Sequence, residues 1–221
     1  MKMRIFAVLM LCLLLSGCAN AGSQPEHPAE SAPIETMAEE TAAVIRPLPD
    51  PTMEALDNAV VNISFSQEDV YRDEAGTICL RMRIYSYDKY DMVDISGMKA
   101  GDTILLSGEE IPVSAVERND HGTILVNGGL DAGGFDLATD DDGIYYQHGY
   151  SDMKSWNLVG EAQYPLSDGF VFTDSVEGEA VYSAEALFDG IPGSEYGYQP
   201  QNTTVRIENG RVVAMERIYT P

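Results

Sequence analysis

Four aspartates crowd one stretch of the chain: Asp136, Asp140, Asp141 and Asp142, the last three running directly into Gly143. Hard cations such as Ca²⁺ take six to eight oxygen ligands, and carboxylates on a tight turn containing glycine supply several of them. The spacing does not fit an EF-hand loop. With Gly143 at the sixth position, Ala138 and Gly149 fall where that loop needs an Asp and a Glu. The same residues also read as a solvated hairpin turn in an acidic chain, so a Ca²⁺ site and a plain turn stand side by side. A second set, Asp88, Asp91 and Asp94, recurs every three residues, which on a helical or 3-10 segment places all three on one face. Tyr85, Tyr87 and Tyr90 lie beside them. Carboxylates next to aromatic platforms suit a sugar, a cationic peptide or a metal; equally, the three Asp can cap backbone N–H groups.

Nucleophilic chemistry is poorly provided for. Gly149-Tyr150-Ser151-Asp152-Met153 has the first Gly and the Ser of a nucleophile elbow but not the second Gly. His121 sits in a turn composition, and His148 falls near a strand end. Cys79 shares a strand face with Arg81 and Arg83, whose charges would lower its pKa, yet no His or second Cys is nearby. The run Asn127-Gly128-Gly129-Leu130-Asp131-Ala132-Gly133-Gly134 lacks the Lys-Ser/Thr of a phosphate loop and points instead to positive φ angles and bulges. Trp156, the single tryptophan, serves as a core anchor or as a ligand platform. A carboxylate pair for glycoside hydrolysis is set by the fold rather than by spacing, which keeps a hydrolase open as an alternative.

The elements that must position these residues are strands. Val61, Ile63 and Phe65 alternate with polar neighbours, as do Ile78, Leu80, Met82 and Ile84, and the two runs predict a hairpin. Residues 103–106 and 111–113 predict a second one, with Pro112 marking an edge or bulge. Short apolar runs at 123–126, 135–137, 143–146 and 170–172 continue the series between Gly-rich turns. Asn209-Gly210 centres a type I′ hairpin in which Ile207 faces Val212 and Val205 faces Ala214. Ser183 caps a short helix over Ala184–Asp189 that Gly190 stops, and one or two helical turns fit between Tyr87 and Ile95. The fold class expected is mainly β: a small antiparallel β-barrel or a sandwich of hairpins with one or two short helices.

The N-terminus carries an address. Lys2 and Arg4 precede eleven apolar residues, Ile5 to Leu15, too few for the roughly 20 that span a bilayer but suited to a signal peptide. The run ends in Leu15-Ser16-Gly17-Cys18, which resembles the lipobox of bacterial lipoprotein precursors. The resemblance covers about 18 residues and implies cleavage before Cys18, with a diacylglyceryl group on its sulfur; two acyl chains suffice for stable anchoring. It implies residence on the cell membrane or outer membrane, facing away from the cytoplasm. Residues 1–17 are then the signal peptide. Residues 18–55 are the lipidated Cys with a disordered acidic tether rich in Pro, Ala and Glu, and 56–221 form one β-rich domain. A tether of ~35 residues has a coil span of roughly 35 Å.

Thirty-six Asp and Glu against 13 Lys and Arg give a net charge of -23, which opposes binding to nucleic-acid phosphates. Between Asn119 and Val205 Lys154 is the single basic residue. The partners expected are the membrane, through the lipid on Cys18, and an envelope protein or small ligand; no cofactor is implied apart from Ca²⁺. The function expected is a non-enzymatic binding or envelope-interaction module. A Ca²⁺- or carbohydrate-binding module and a hydrolase are the alternatives.

Overall fold

The computed structural model describes residues 41–150, 153–191 and 196–220, all within the unit Thr41–Pro221. Leu15, Ser16, Gly17 and Cys18, most of the tether, and Ser151 and Asp152 of the Gly-Tyr-Ser stretch lie outside the described residues.

The described elements begin with β1 (Val44–Ile45), β2 (Ala59–Ser64), β3 (Val70–Arg72) and β4 (Ile78–Ser86). Next come β5 (Lys89–Tyr90), helix α1 (Met92–Gly97), β6 (Thr103–Leu106), β7 (Glu109–Pro112) and β8 (Val116–Arg118). They are followed by β9 (Ile124–Val126), β10 (Phe135–Thr139) and β11 (Tyr145–His148). The long β12 (Asn157–Asp174), β13 (Ala180–Tyr182), helix α2 (Ala184–Asp189), β14 (Thr203–Glu208) and β15 (Arg211–Arg217) complete the series.

Five of these strands close a barrel. β2 pairs with β4, and β4 with the first half of β12. The second half of β12 pairs in parallel with β15, β15 with β14, and β14 returns to β2. Numbered along the chain, the barrel order is 1-2-3-5-4-1 with one parallel pair, and α2 lies between the third and fourth strands. This is the connectivity of the five-stranded Greek-key barrel of OB type. Closure removes the barrel's exposed edges. The inward rows are the alternating apolar positions: Val61 and Ile63, then Leu80, Met82 and Ile84, then Leu166, Phe170 and Phe172, with Val205, Ile207, Val212 and Met215.

The second and third barrel strands are joined by an excursion, residues 87–156, that has its own core. Tyr90, Ile95, Met98, Ile104, Ile124, Val126, Phe135 and Leu137 pack together there, over a five-stranded sheet (order β5-β11-β10-β9-β8) and a three-stranded one (β1-β6-β7). Its Gly-rich turn follows the expected reason in part: Gly128, Gly129 and Gly133 have positive φ. Gly134 serves a different need, since a Cβ there would lie 2.0 Å from the Val126 carbonyl oxygen.

Three local expectations change. Val44 and Ile45, assigned to the tether, pair in parallel with Thr103 and Ile104, and Ile45 is buried in the excursion's core. Asp102 holds this strap: its buried carboxylate accepts the Ala43 N–H at 2.8 Å and the Lys99 N–H at 2.9 Å. The β14–β15 hairpin shifts register between Arg206 and Ile207, so Ile207 does face Val212 but Val205 faces Met215 rather than Ala214. The strand expected at 170–172 is the end of an 18-residue strand.

Candidate functional site

The barrel's second strand ends at Ser86 and its third begins at Asn157, and these two residues pair. The excursion therefore leaves and rejoins the barrel at one place, and aromatic residues collect there. Tyr87 directly follows β4, Trp156 directly precedes β12, and Tyr146 lies on β11 opposite Lys89 of β5. Tyr87 meets Trp156 edge to face at 5.5 Å between ring centroids, and Tyr146 at 5.6 Å. All three rings are half-buried.

Two ammonium groups sit on this cluster. Lys154 Nζ lies 4.1 Å from the Tyr87 ring centroid and 5.1 Å from that of Tyr146, and it donates a hydrogen bond to the Tyr87 hydroxyl at 2.9 Å. Lys89 Nζ lies 5.1 Å from the Tyr87 centroid. Each ring quadrupole attracts a cation placed over its face. Among the described residues neither lysine has a carboxylate oxygen within 4.0 Å. The arginines nearby on the barrel behave differently: Arg72 pairs with Glu185, Arg81 with Asp69 and Arg83 with Glu161.

The aspartates around this cluster are structural. Asp88 accepts hydrogen bonds from the Ser107 N–H at 2.6 Å and from Asn157 Nδ2 at 3.2 Å, so it braces the junction. Asp91 caps α1 through the Val93 N–H at 2.7 Å, and Asp94 lies exposed in that helix's first turn. The three do not share one helical face, because Asp88 precedes β5 and Asp91 is the cap. Tyr90 is fully buried and donates to the Leu105 carbonyl at 2.7 Å; burial pushes its phenol pKa up. Of the predicted ligand-binding set, only Tyr87 lies in the aromatic cluster.

The second acidic set is also dispersed. Asp136 accepts the Leu130 N–H at 3.1 Å, and Asp140 closes a turn by accepting the Asp142 and Ile144 N–H groups at 3.1 and 2.9 Å. Asp141 and Asp142 are exposed on that turn. Among the described residues no group of three or more His, Cys, Asp and Glu side chains is placed to hold a metal ion. Cys79 is buried, and burial raises its thiol pKa, with Asp73 adding to the effect. The expected lowering by Arg81 and Arg83 does not arise; both guanidinium groups point to carboxylates on the barrel's outer face.

A different constellation closes the far end of β12 and escapes sequence reasoning altogether. Arg217 is fully buried and makes two bonds to Asp174, Nε to Oδ1 at 3.1 Å and Nη2 to Oδ2 at 2.5 Å. Its guanidinium carbon lies 4.7 Å from the Tyr198 ring centroid and 5.9 Å from that of Phe172. Among the described residues the buried Tyr198 hydroxyl has no hydrogen-bond partner, and burial pushes its pKa up to about 12. A cavity of about 330 Å³ lies over the pair, lined also by Glu177, Glu179 and Tyr182. Both Asp174 oxygens are committed to Arg217, so Asp174 is not free to act as one of a pair of hydrolytic carboxylates.

Compared with known protein families, with curated proteins and with solved structures, the chain gives no match.

Proposed function

We propose that this chain is a lipid-anchored module that acts outside the cytoplasm by binding rather than by catalysis, with the aromatic and cationic junction as its binding surface. The address rests on the lipobox resemblance at Leu15 to Cys18. The observation that carries the binding reading is the Tyr87–Tyr146–Trp156 cluster, half-exposed and holding two ammonium groups on its ring faces, neither in a direct ion pair with a described carboxylate. Rings of this kind usually complete their burial in a core; three of them left half-open form a platform for a ligand with flat apolar faces. Their place also supports the reading. OB-type barrels commonly bind oligosaccharides and oligonucleotides across their second and third strands, and the cluster stands where those strands begin and end. Fold alone does not carry function, so the weight stays on the side chains.

The test is co-sedimentation of the purified protein with insoluble cell-wall material. The wild type sediments with the wall, and Tyr87→Ala and Trp156→Ala, checked for folding by circular dichroism, remain in the supernatant. Equal sedimentation of all three proteins contradicts the proposal.

A further inference from the structure

We infer that the junction binds a sugar carrying a carboxylate or phosphate group, a ligand class that rests on the binding reading above and makes it specific. The argument starts from charge. The chain carries 36 acids against 13 bases, and Lys154 is the single basic residue between Asn119 and Val205. Carboxylates are therefore abundant, and yet the ammonium groups of Lys154 and Lys89 rest on aromatic faces, with Asp50 near enough to Lys89 for their charges to interact but not in a direct ion pair. An ammonium has three N–H donors. Lys154 gives one to the Tyr87 hydroxyl, which leaves two for a further acceptor.

Geometry keeps these charges together. Lys89 and Tyr146 are directly opposite on paired antiparallel strands, so their side chains leave the sheet on the same face. Lys154 Nζ reaches the Tyr146 ring on that face as well as Tyr87. Two positive charges and the rings of Tyr87, Tyr146 and Trp156 thus border one half-exposed surface. An anionic group satisfies the lysines through charge-assisted hydrogen bonds. The apolar C–H face of a pyranose covers the rings while its hydroxyls stay in water.

The rest of the molecule narrows the class further. A net charge of -23 repels a densely charged polyanion at long range. A sugar with one anionic group meets far less of that repulsion, and the two lysines offset it locally. A neutral sugar leaves the ammonium groups unmatched. A cationic ligand meets two like charges at the surface.

Trp156 is the single tryptophan, so its fluorescence reports on this cluster without labelling. The experiment titrates the detergent-solubilised full-length protein with glucuronate, glucose 6-phosphate, glucose and AMP. Glucuronate or glucose 6-phosphate should shift the emission saturably, with glucose weaker by roughly tenfold, the scale of one charge-assisted hydrogen bond. Lys154→Gln and Lys89→Gln should each weaken the anionic sugars by about the same factor and bring them close to glucose. Lys89 is exposed, so its variant keeps the test valid should Lys154→Gln disturb the junction.

The class is overturned by equal responses to glucose and glucuronate, by tighter binding of AMP than of either anionic sugar, or by lysine variants that bind as the wild type does. Silence from every probe overturns it too. In that last case, wall co-sedimentation that still depends on Tyr87 and Trp156 keeps the broader reading; its loss removes both.

Discussion

Arg217 and Asp174 make the most demanding contact in the barrel. A guanidinium and a carboxylate removed from water each lose several kcal/mol of hydration, and only a well-formed pair between them offsets it. Asp174→Ala should lower the unfolding free energy by roughly 3–5 kcal/mol, because it leaves Arg217 charged and buried between two rings. Urea denaturation measures this, and the double variant Asp174→Leu/Arg217→Met should recover most of the loss. A fall of less than about 1 kcal/mol for Asp174→Ala would show the pair to be far better solvated than its burial implies. None of this is legible in the sequence. Arg217 follows Glu216 in the last strand and reads as a solvent-facing charge, and its partner lies 43 residues away. The junction is similar: Tyr87 stands out in the sequence for its aspartate neighbours, of which Asp88 and Asp91 brace the local structure instead of forming a site. Lys154 and Trp156 reach it through a chain reversal that no local spacing announces.

At the scale of elements, local chemistry made some strands readable and long-range pairing concealed others. Asn209-Gly210 takes the positive φ angles of its turn, 51° and 70°, and the hairpin around it is where turn residues and alternation place it. Ser183 caps α2 as its position suggests, accepting the Ala186 N–H at 3.3 Å. β12 was seen only at its end, because Gly160, Pro165 and Gly169 break its pattern. Those breaks fit a strand that changes partners, from β4 to β15, along its length. The strap β1 was hidden by proline-rich surroundings, and its hold on the excursion depends on pH. The Ala43 N–H is the main cause that keeps the Asp102 carboxyl below its ordinary pKa of 3.8, with the Lys99 N–H and ammonium helping against burial. A depressed folded pKa contributes stability that is complete above the unfolded value and is lost as pH falls through the folded one. Wild-type stability should therefore drop as pH falls below about 4, and Asp102→Asn should be less stable at neutral pH with a shallower acid decline. Thermal unfolding across that range checks it; parallel pH profiles for the two proteins would contradict it.

The whole molecule combines an acidic surface, an OB-type barrel and an excursion whose core is separate from the barrel's. Mainly β architecture followed from strand-length alternation and closely spaced turns. A barrel was one of the two forms expected, but its particular closure was not legible, since one strand pairs along its length first with one partner and then in parallel with another. Ala43 already belongs with the excursion, since its N–H and carbonyl are both bonded to it. The proposed membrane address rests on Cys18 as the anchor. The direct measurement is mass spectrometry of the protein extracted from membranes and digested after glutamate. The account predicts an N-terminal peptide running from Cys18 to Glu26 with a diacylglyceryl group on the cysteine sulfur. An unmodified Cys18, or a mature peptide that still contains Gly17, would contradict it.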